Sequence, residues 1–294
     1  MNWRFPPILS AILLVCAGPA RAETHSFSAD GDRLSYETFG HGPAVIILAG
    51  GPGMNPAYMR PVAKTVAREG FEAVLLDQRG TGASPLGAPE RVSVGGAVAD
   101  VEDLRQAIGS ERIVLLGHSF GGAIAQAYAA AHPQNVSRLV LLDSVGPSLR
   151  LASDPLDGWR SRLSPVERGQ YDRLHAAGQE TQAARLKFRG SFDDRKVGEA
   201  FTAALKPGWL NSTVFAQMNA AFAAGYDLTR QTYSGLFPVY AVAGADDWMR
   251  GYEPVLKAYY PNLRTRAAPH AGHFPWIEQP RLTWDALHWA LHDR

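Results

Sequence analysis

The sequence predicts an α/β fold: a mostly parallel sheet with helices on both faces, interrupted once by a helical lid after the sixth strand. Three observations carry this. Short unbroken apolar runs such as 44–49 (AVIILA) and 113–116 (IVLL) read as strands buried on both faces. They alternate with stretches of helical period up to residue 147, and the alternation resumes at 237. Between them, 148–235 is charged, helix-like and punctuated by Gly, Pro and Asp. With 294 residues, 46% hydrophobic and 19% charged, the chain can bury one large core. The expected division is therefore a core of 23–147 and 236–294 and a lid of 148–235.

Residues 1–22 differ in kind. Arg4 precedes a short apolar run, 8–17, and Ala20-Arg21-Ala22 supplies small residues at the spacing of a signal-peptidase site. This is the layout of a secretory signal peptide cleaved after Ala22, so a secreted or periplasmic protein is expected. The run is too short to span a bilayer, which needs about 20 residues. The single cysteine, Cys16, falls in this segment, so the mature chain is expected to form no disulfide and to do no thiol chemistry.

The elements follow in order. Residues 24–29 and 33–39 flank Asp30-Gly31-Asp32 and read as a β-hairpin. Strand 44–49 opens into Gly50-Gly51-Pro52-Gly53 and a helix over 56–69. Strand 73–76 ends in Asp77-Gln78-Arg79-Gly80-Thr81-Gly82, where Arg79 is expected to pair with Asp77. A helix over 94–108 carries Val98, Val101, Leu104 and Ile108 at helical spacing, and strand 113–116 then leads into a helix reaching about 132. Strand 139–142 ends at Asp143. Beyond the lid come strand 237–243, a last strand over 262–268 and an amphipathic helix over 282–291.

Chemistry concentrates at Gly117-His118-Ser119-Phe120-Gly121, the G-x-S-x-G pattern in its strand-turn-helix setting. Flanking glycines let the backbone turn sharply and lift the Ser119 hydroxyl above the sheet, with free N–H groups of the following helix beside it. Such a hydroxyl needs a base, and the base an orienting group. His273, in the loop between the last strand and the last helix, is preferred to His270 as the base. Strand 239–243 runs into Asp246 and Asp247, either of which can face an imidazole. Serine, acid and histidine then occur in that order along the chain. His118 reads as a packing or supporting residue. Trp209, Phe215 and Trp248 are candidates for an apolar substrate pocket, with Met218 and Phe222, although the spacing of 215, 218 and 222 equally suits a lid helix packed on the core. Charge nearly balances at +1 without a basic cluster, which argues against a nucleic-acid partner or an electrostatic membrane patch. No metal-ligand spacing stands out and 50–53 lacks the lysine of a phosphate loop, so no metal and no cofactor are expected.

Taken together, 50–53, 77–82, the Ser119 turn, and Gly272-His273-Phe274-Pro275 with Glu278-Gln279-Pro280 make the chain resemble the α/β-hydrolase superfamily. Within it, the chain is similar to the proline iminopeptidase group. The resemblance implies that the acid stands three residues after Gly244, hence Asp247. It also implies an oxyanion hole made by the backbone amides of Phe120 and Gly51. Two departures stand out: Ala49 replaces a histidine common before Gly-Gly-Pro-Gly, and the glutamate motif that holds a substrate's free amine is not found in the lid. Asp154, Asp157, Glu167, Asp172, Asp193, Asp194 and Glu199 are available there and are expected to form its solvated face. The implied activity is that of an exported serine hydrolase on a small-molecule or short-peptide substrate, an aminopeptidase for small N-terminal residues such as proline. The alternatives are a carboxylesterase or lactonase and, more remotely, a non-catalytic ligand-binding protein.

Overall fold

The computed structural model describes residues 22–148 and 158–293. Residues 1–21, with Cys16, and the lid's Asp154 and Asp157 lie outside the described part. Eight strands form one sheet in the order β1-β2-β4-β3-β5-β6-β7-β8. They are β1 (Glu23–Ala29), β2 (Asp32–Phe39), β3 (Ala44–Leu48), β4 (Glu72–Leu76), β5 (Ile113–His118), β6 (Val136–Leu142), β7 (Val239–Gly244) and β8 (Arg264–Ala268). The hairpin β1–β2 is antiparallel and pairs antiparallel onto β4, and every other neighbour is parallel. Asp30 and Gly31 both take positive φ, 48° and 83°, as a two-residue turn between twisted strands demands.

The unbroken apolar strands follow from burial on both faces. Ala44, Ile46 and Leu48 of β3 join Ile113 and Leu115 of β5 in one core layer. Their alternates Val45, Ile47, Val114 and Leu116 join the opposite layer. Helices α2 (Val94–Ala107) and α3 (Phe120–Ala131) cover the first layer; α1 (Arg60–Arg68) and α10 (Pro280–His292) cover the second. β6 begins three residues before its apolar run, because Arg138 turns its guanidinium onto the carbonyls of Ala290 and Asp293 in the closing helix.

Between β6 and β7 lie α4 (Pro165–Ala176), α5 (Glu180–Arg189), α6 (Arg195–Ala204) and α7 (Ser212–Gly225), and no strand occurs there among the described residues. Two short bridges, Met54 with Leu210 and Ser148 with Asp227, tie this insertion to the core. Val214, Met218 and Phe222 of α7 are buried against the first core layer, so the spacing noticed in the sequence belongs mostly to core packing. The expectation of a solvated acidic lid face needs correction at Glu167. It is 7% exposed, closes a capping box with Ser164 at the start of α4, and pairs with Arg189 and Arg195. Its carboxyl is held down at about 2, chiefly by the Arg195 hydrogen bond. After the lid come α8 (Glu253–Tyr259), the short α9 (Pro275–Glu278) and α10.

Candidate active site

β5 ends at His118 and α3 begins at Phe120, so Ser119 alone makes the turn. It does so at φ 55° and ψ −121°, a conformation that costs a non-glycine residue roughly 1–3 kcal/mol. Its surroundings over-determine it: Ser119 N–H donates to the Leu142 carbonyl at 3.0 Å, and the Ser119 carbonyl accepts from Gly122 N–H at 3.0 Å. The flanking glycines are steric necessities. A Cβ on Gly117 would lie 2.5 Å from the Gly121 oxygen, and one on Gly121 would lie 2.3 Å from the Leu48 oxygen.

The fold brings Ser119, His273 and Asp247 together, far apart as they are in the chain. Ser119 Oγ lies 2.8 Å from His273 Nε2, and His273 Nδ1 lies 3.0 Å from Asp247 Oδ2. A carboxylate can only accept, so Nδ1 carries the proton and Nε2 is left to accept from the Ser119 hydroxyl. All three residues are buried. Asp247 is braced by the Met249 N–H at 3.1 Å. The neighbouring alternatives pair with each other instead: the exposed Asp246 accepts from the His270 N–H at 3.0 Å.

Two oxyanion donors were expected, at Phe120 and Gly51. Phe120 is the first residue of α3, so its N–H is one the helix itself does not use. Gly51 has φ 123°, a region suited to glycine, and Gly50 lies so close that a Cβ there would stand 2.8 Å from Ser119 Cβ. The loop 49–53 is held by a residue that the sequence reading passed over. Tyr58 accepts from the Gly50 N–H at 2.6 Å and donates to His118 Nδ1 at 2.8 Å. His118 Nε2–H in turn donates to the His273 carbonyl at 3.0 Å. Burial and the neighbouring His273 push the His118 imidazole well below its ordinary range, so it stays neutral, as this chain of bonds requires. Gln78 Nε2 donates to the Ala49 carbonyl at 2.9 Å. Tyr58 and Gln78 thus brace the loop where Ala49 offers no side-chain hydrogen bond.

The helical insertion also holds the loop that carries His273. His273 N–H donates to the Ser191 carbonyl at 2.8 Å. Glu278 accepts from Asp194 N–H in the helical insertion and from Gly272 N–H beside His273, each at 2.7 Å. Burial raises the Glu278 carboxyl above its usual range, against the pull of these donors.

Asp143 is a second acid behind Asp247, at the carboxyl end of β6. It is 3% exposed and accepts from Gly244 N–H at 2.8 Å. Its other oxygen has no hydrogen-bond partner among the described residues, and its carboxyl lies beside that of Asp247. Burial, and then the Asp247 charge, push Asp143 well above the carboxylate range. Asp143, Asp247 and His273 converge within 4.8 Å, but both His273 nitrogens are already engaged, and the arrangement suits proton transfer better than a cation. Asp143 was legible in principle, since ligand and catalytic groups gather at the carboxyl ends of parallel strands.

A small apolar cleft lies beside the turn, lined by Pro52, Val92, Val101, Phe120, Val214 and Met218. Of the aromatic residues expected at a substrate, none lines this cleft. Trp248 lies against the His273 ring at 5.5 Å between centroids, and Phe215 and Trp248 share Lys187 at 5.9 and 5.8 Å. Trp209 packs on Phe188 in the second core layer. Arg79, expected to pair with Asp77, forms instead a bidentate pair with Asp100 at the pocket's base and a further one with Asp32. Asp77 accepts from the Ala83 N–H, closing its own loop.

Sheet order, turn and lid together define a hydrolase class. A family profile described as alpha/beta hydrolase fold matches residues 43–280, and the chain belongs to that family. Among relatives, a proline iminopeptidase of Xylella fastidiosa is 36% identical over 155 residues, 47% of this chain and 49% of that protein. The chain thus matches about half the length of such curated relatives. Among solved structures, a proline iminopeptidase of Mycobacterium smegmatis superposes with a TM-score of 0.73 at 22% identity, over 92% of this chain and 98% of the other. A proline iminopeptidase-related protein of Thermus thermophilus gives 0.71 at 26% identity, over 92% and 97%.

Proposed function

We propose that this hydrolase is an exported serine hydrolase that cleaves a small amide or ester through an acyl-enzyme. The observation that carries the reading is the buried relay from Ser119 through His273 to Asp247, at 2.8 and 3.0 Å. Ser119 Oγ attacks the carbonyl carbon as His273 Nε2 takes its proton, and Asp247 stabilises the resulting imidazolium. The Phe120 and Gly51 amides receive the oxyanion. His273 then gives its proton to the leaving group, and water, activated by the same imidazole, releases the acyl group from Ser119. Export rests on Arg4, the apolar run 8–17 and Ala20-Arg21-Ala22; N-terminal sequencing of the exported protein, starting at Glu23, checks it.

For the substrate, the iminopeptidase relatives favour an N-terminal residue such as proline, with the apolar pocket taking its ring. One observation favours a second reading, a neutral acyl ester. The acid in that pocket, Asp100, is consumed by Arg79 and offers nothing to an ammonium group. Three substrates separate the readings: proline p-nitroanilide, its N-acetyl derivative, and a short p-nitrophenyl ester, with Ser119→Ala as control. Cleavage of the free-amine anilide that is lost on acetylation supports the aminopeptidase. Ester cleavage alone supports the esterase. Wild-type turnover by Ser119→Ala would overturn the mechanism itself.

A further inference from the structure

We propose that Glu69, His288 and His292 form a binding site for a divalent transition-metal ion such as zinc, at the end of the sheet opposite Ser119. His288 and His292 are four apart on α10, which stacks two imidazoles on one helix face, the spacing by which helices present paired histidines to zinc. Their ring centroids are 4.7 Å apart. Glu69, the C-terminal cap of α1, reaches between them. Its Oε2 is 2.6 Å from His288 Nδ1 and 3.2 Å from His292 Nε2, and the three ligand atoms lie within 4.8 Å of one another.

The chemistry of the donors fits. Two imidazoles and a carboxylate are a ligand set for zinc and its neighbours, with metal–nitrogen distances of about 2.0–2.1 Å. One carboxylate oxygen now receives a hydrogen bond from each ring. An ion in that position would replace the two ring protons, with each ring carrying its remaining proton on the other nitrogen. The C-terminal ends of α1 and α10 meet here, and their carbonyls add negative potential. His288 and His292 are half exposed, so an ion can enter and water can complete its coordination. Phe71 packs on the His292 ring at 5.4 Å and limits its rotation.

Placement follows from chain direction. Glu69 lies three residues before β4, at the amino end of the parallel strands, whereas Ser119 follows the carboxyl end of β5. An ion there would fasten the last helix to α1 without touching the reaction.

The test uses tag-free protein stripped of metal with a chelator. Titration calorimetry with Zn²⁺ is expected to show one equivalent bound with low-micromolar affinity. At zinc about a hundredfold above that constant, the unfolding temperature should rise by roughly 5–10 °C. Both effects should vanish in the His288→Ala, His292→Ala double variant, with its metal-free unfolding temperature and its turnover of the preferred substrate retained. Absence of saturable binding overturns the proposal, and so does binding that survives in the double variant.

Discussion

Replacing Tyr58 with Phe removes one oxygen and leaves the ring contacts with Phe274 and Trp276 in place. That oxygen serves two enclosed groups, the Gly50 N–H at 2.6 Å and His118 Nδ1 at 2.8 Å. Leaving one buried polar group unsatisfied costs about 1–3 kcal/mol, so the pair is worth about 3 kcal/mol after partial relaxation. For a chain of this size that lowers the unfolding temperature by about 6–12 °C. The same change loosens two parts of the proposed reaction centre. Gly50 precedes the Gly51 amide, and His118 holds the His273 carbonyl. Loss of a whole oxyanion donor costs about 10²–10³ in rate, and a displaced one is expected to cost about tenfold in kcat with KM little changed. Calorimetric unfolding and steady-state kinetics on the preferred substrate measure both. A variant with wild-type stability and wild-type kcat would refute the bridge. A loss of stability alone would reduce Tyr58 to a structural prop.

Two further outcomes are expected. Asp143→Asn keeps a group that accepts from Gly244 and donates to Asp247, so kcat should stay near wild type, while Asp143→Ala, which cannot donate, should lower it. The sign with pH is specific. A buried carboxyl raised above its unfolded value favours the fold at low pH, and that contribution fades as pH rises above about 3.9 toward its folded value. Denaturation of both proteins at pH 5 and pH 8 should therefore show Asp143→Asn gaining on the wild type at the higher pH. Arg79→Met leaves Asp100, 3% exposed, without its partner, and should cost about 3–5 kcal/mol in urea unfolding. Adding Asp100→Asn should recover part of that loss.

The turn at Ser119 was legible because its constraint is local. Only glycine at 117 and 121 lets strand, serine and helix pass so closely, and those residues stand in the sequence beside the one they serve. Asp247 was harder. Asp246 and Asp247 are adjacent on a turn, and composition cannot say which faces inward. Packing decides it: the Asp247 N–H bonds back to the Gly244 carbonyl and its side chain turns to His273, while Asp246 accepts from His270 at the surface. Tyr58 was missed because a tyrosine in the first turn after a loop reads as ordinary helix packing. Its partners lie in another loop and at the end of β5.

The sequence by itself determined the strand-helix alternation, the helical insertion after the sixth strand, the turn at Ser119 and the loop position of His273. Each is written in neighbouring residues: periodicity, glycine beside serine, histidine in the loop before the closing helix. The tertiary structure alone decided which way side chains point. It joined Arg79 to Asp100 rather than Asp77, set Asp143 beside Asp247, and buried Trp209 against Phe188 in the second core layer. Those outcomes depend on groups far apart in the chain that meet only when both faces of the sheet are covered. Their hydrogen bonds and desolvation are set by that meeting, not by any local pattern of residues.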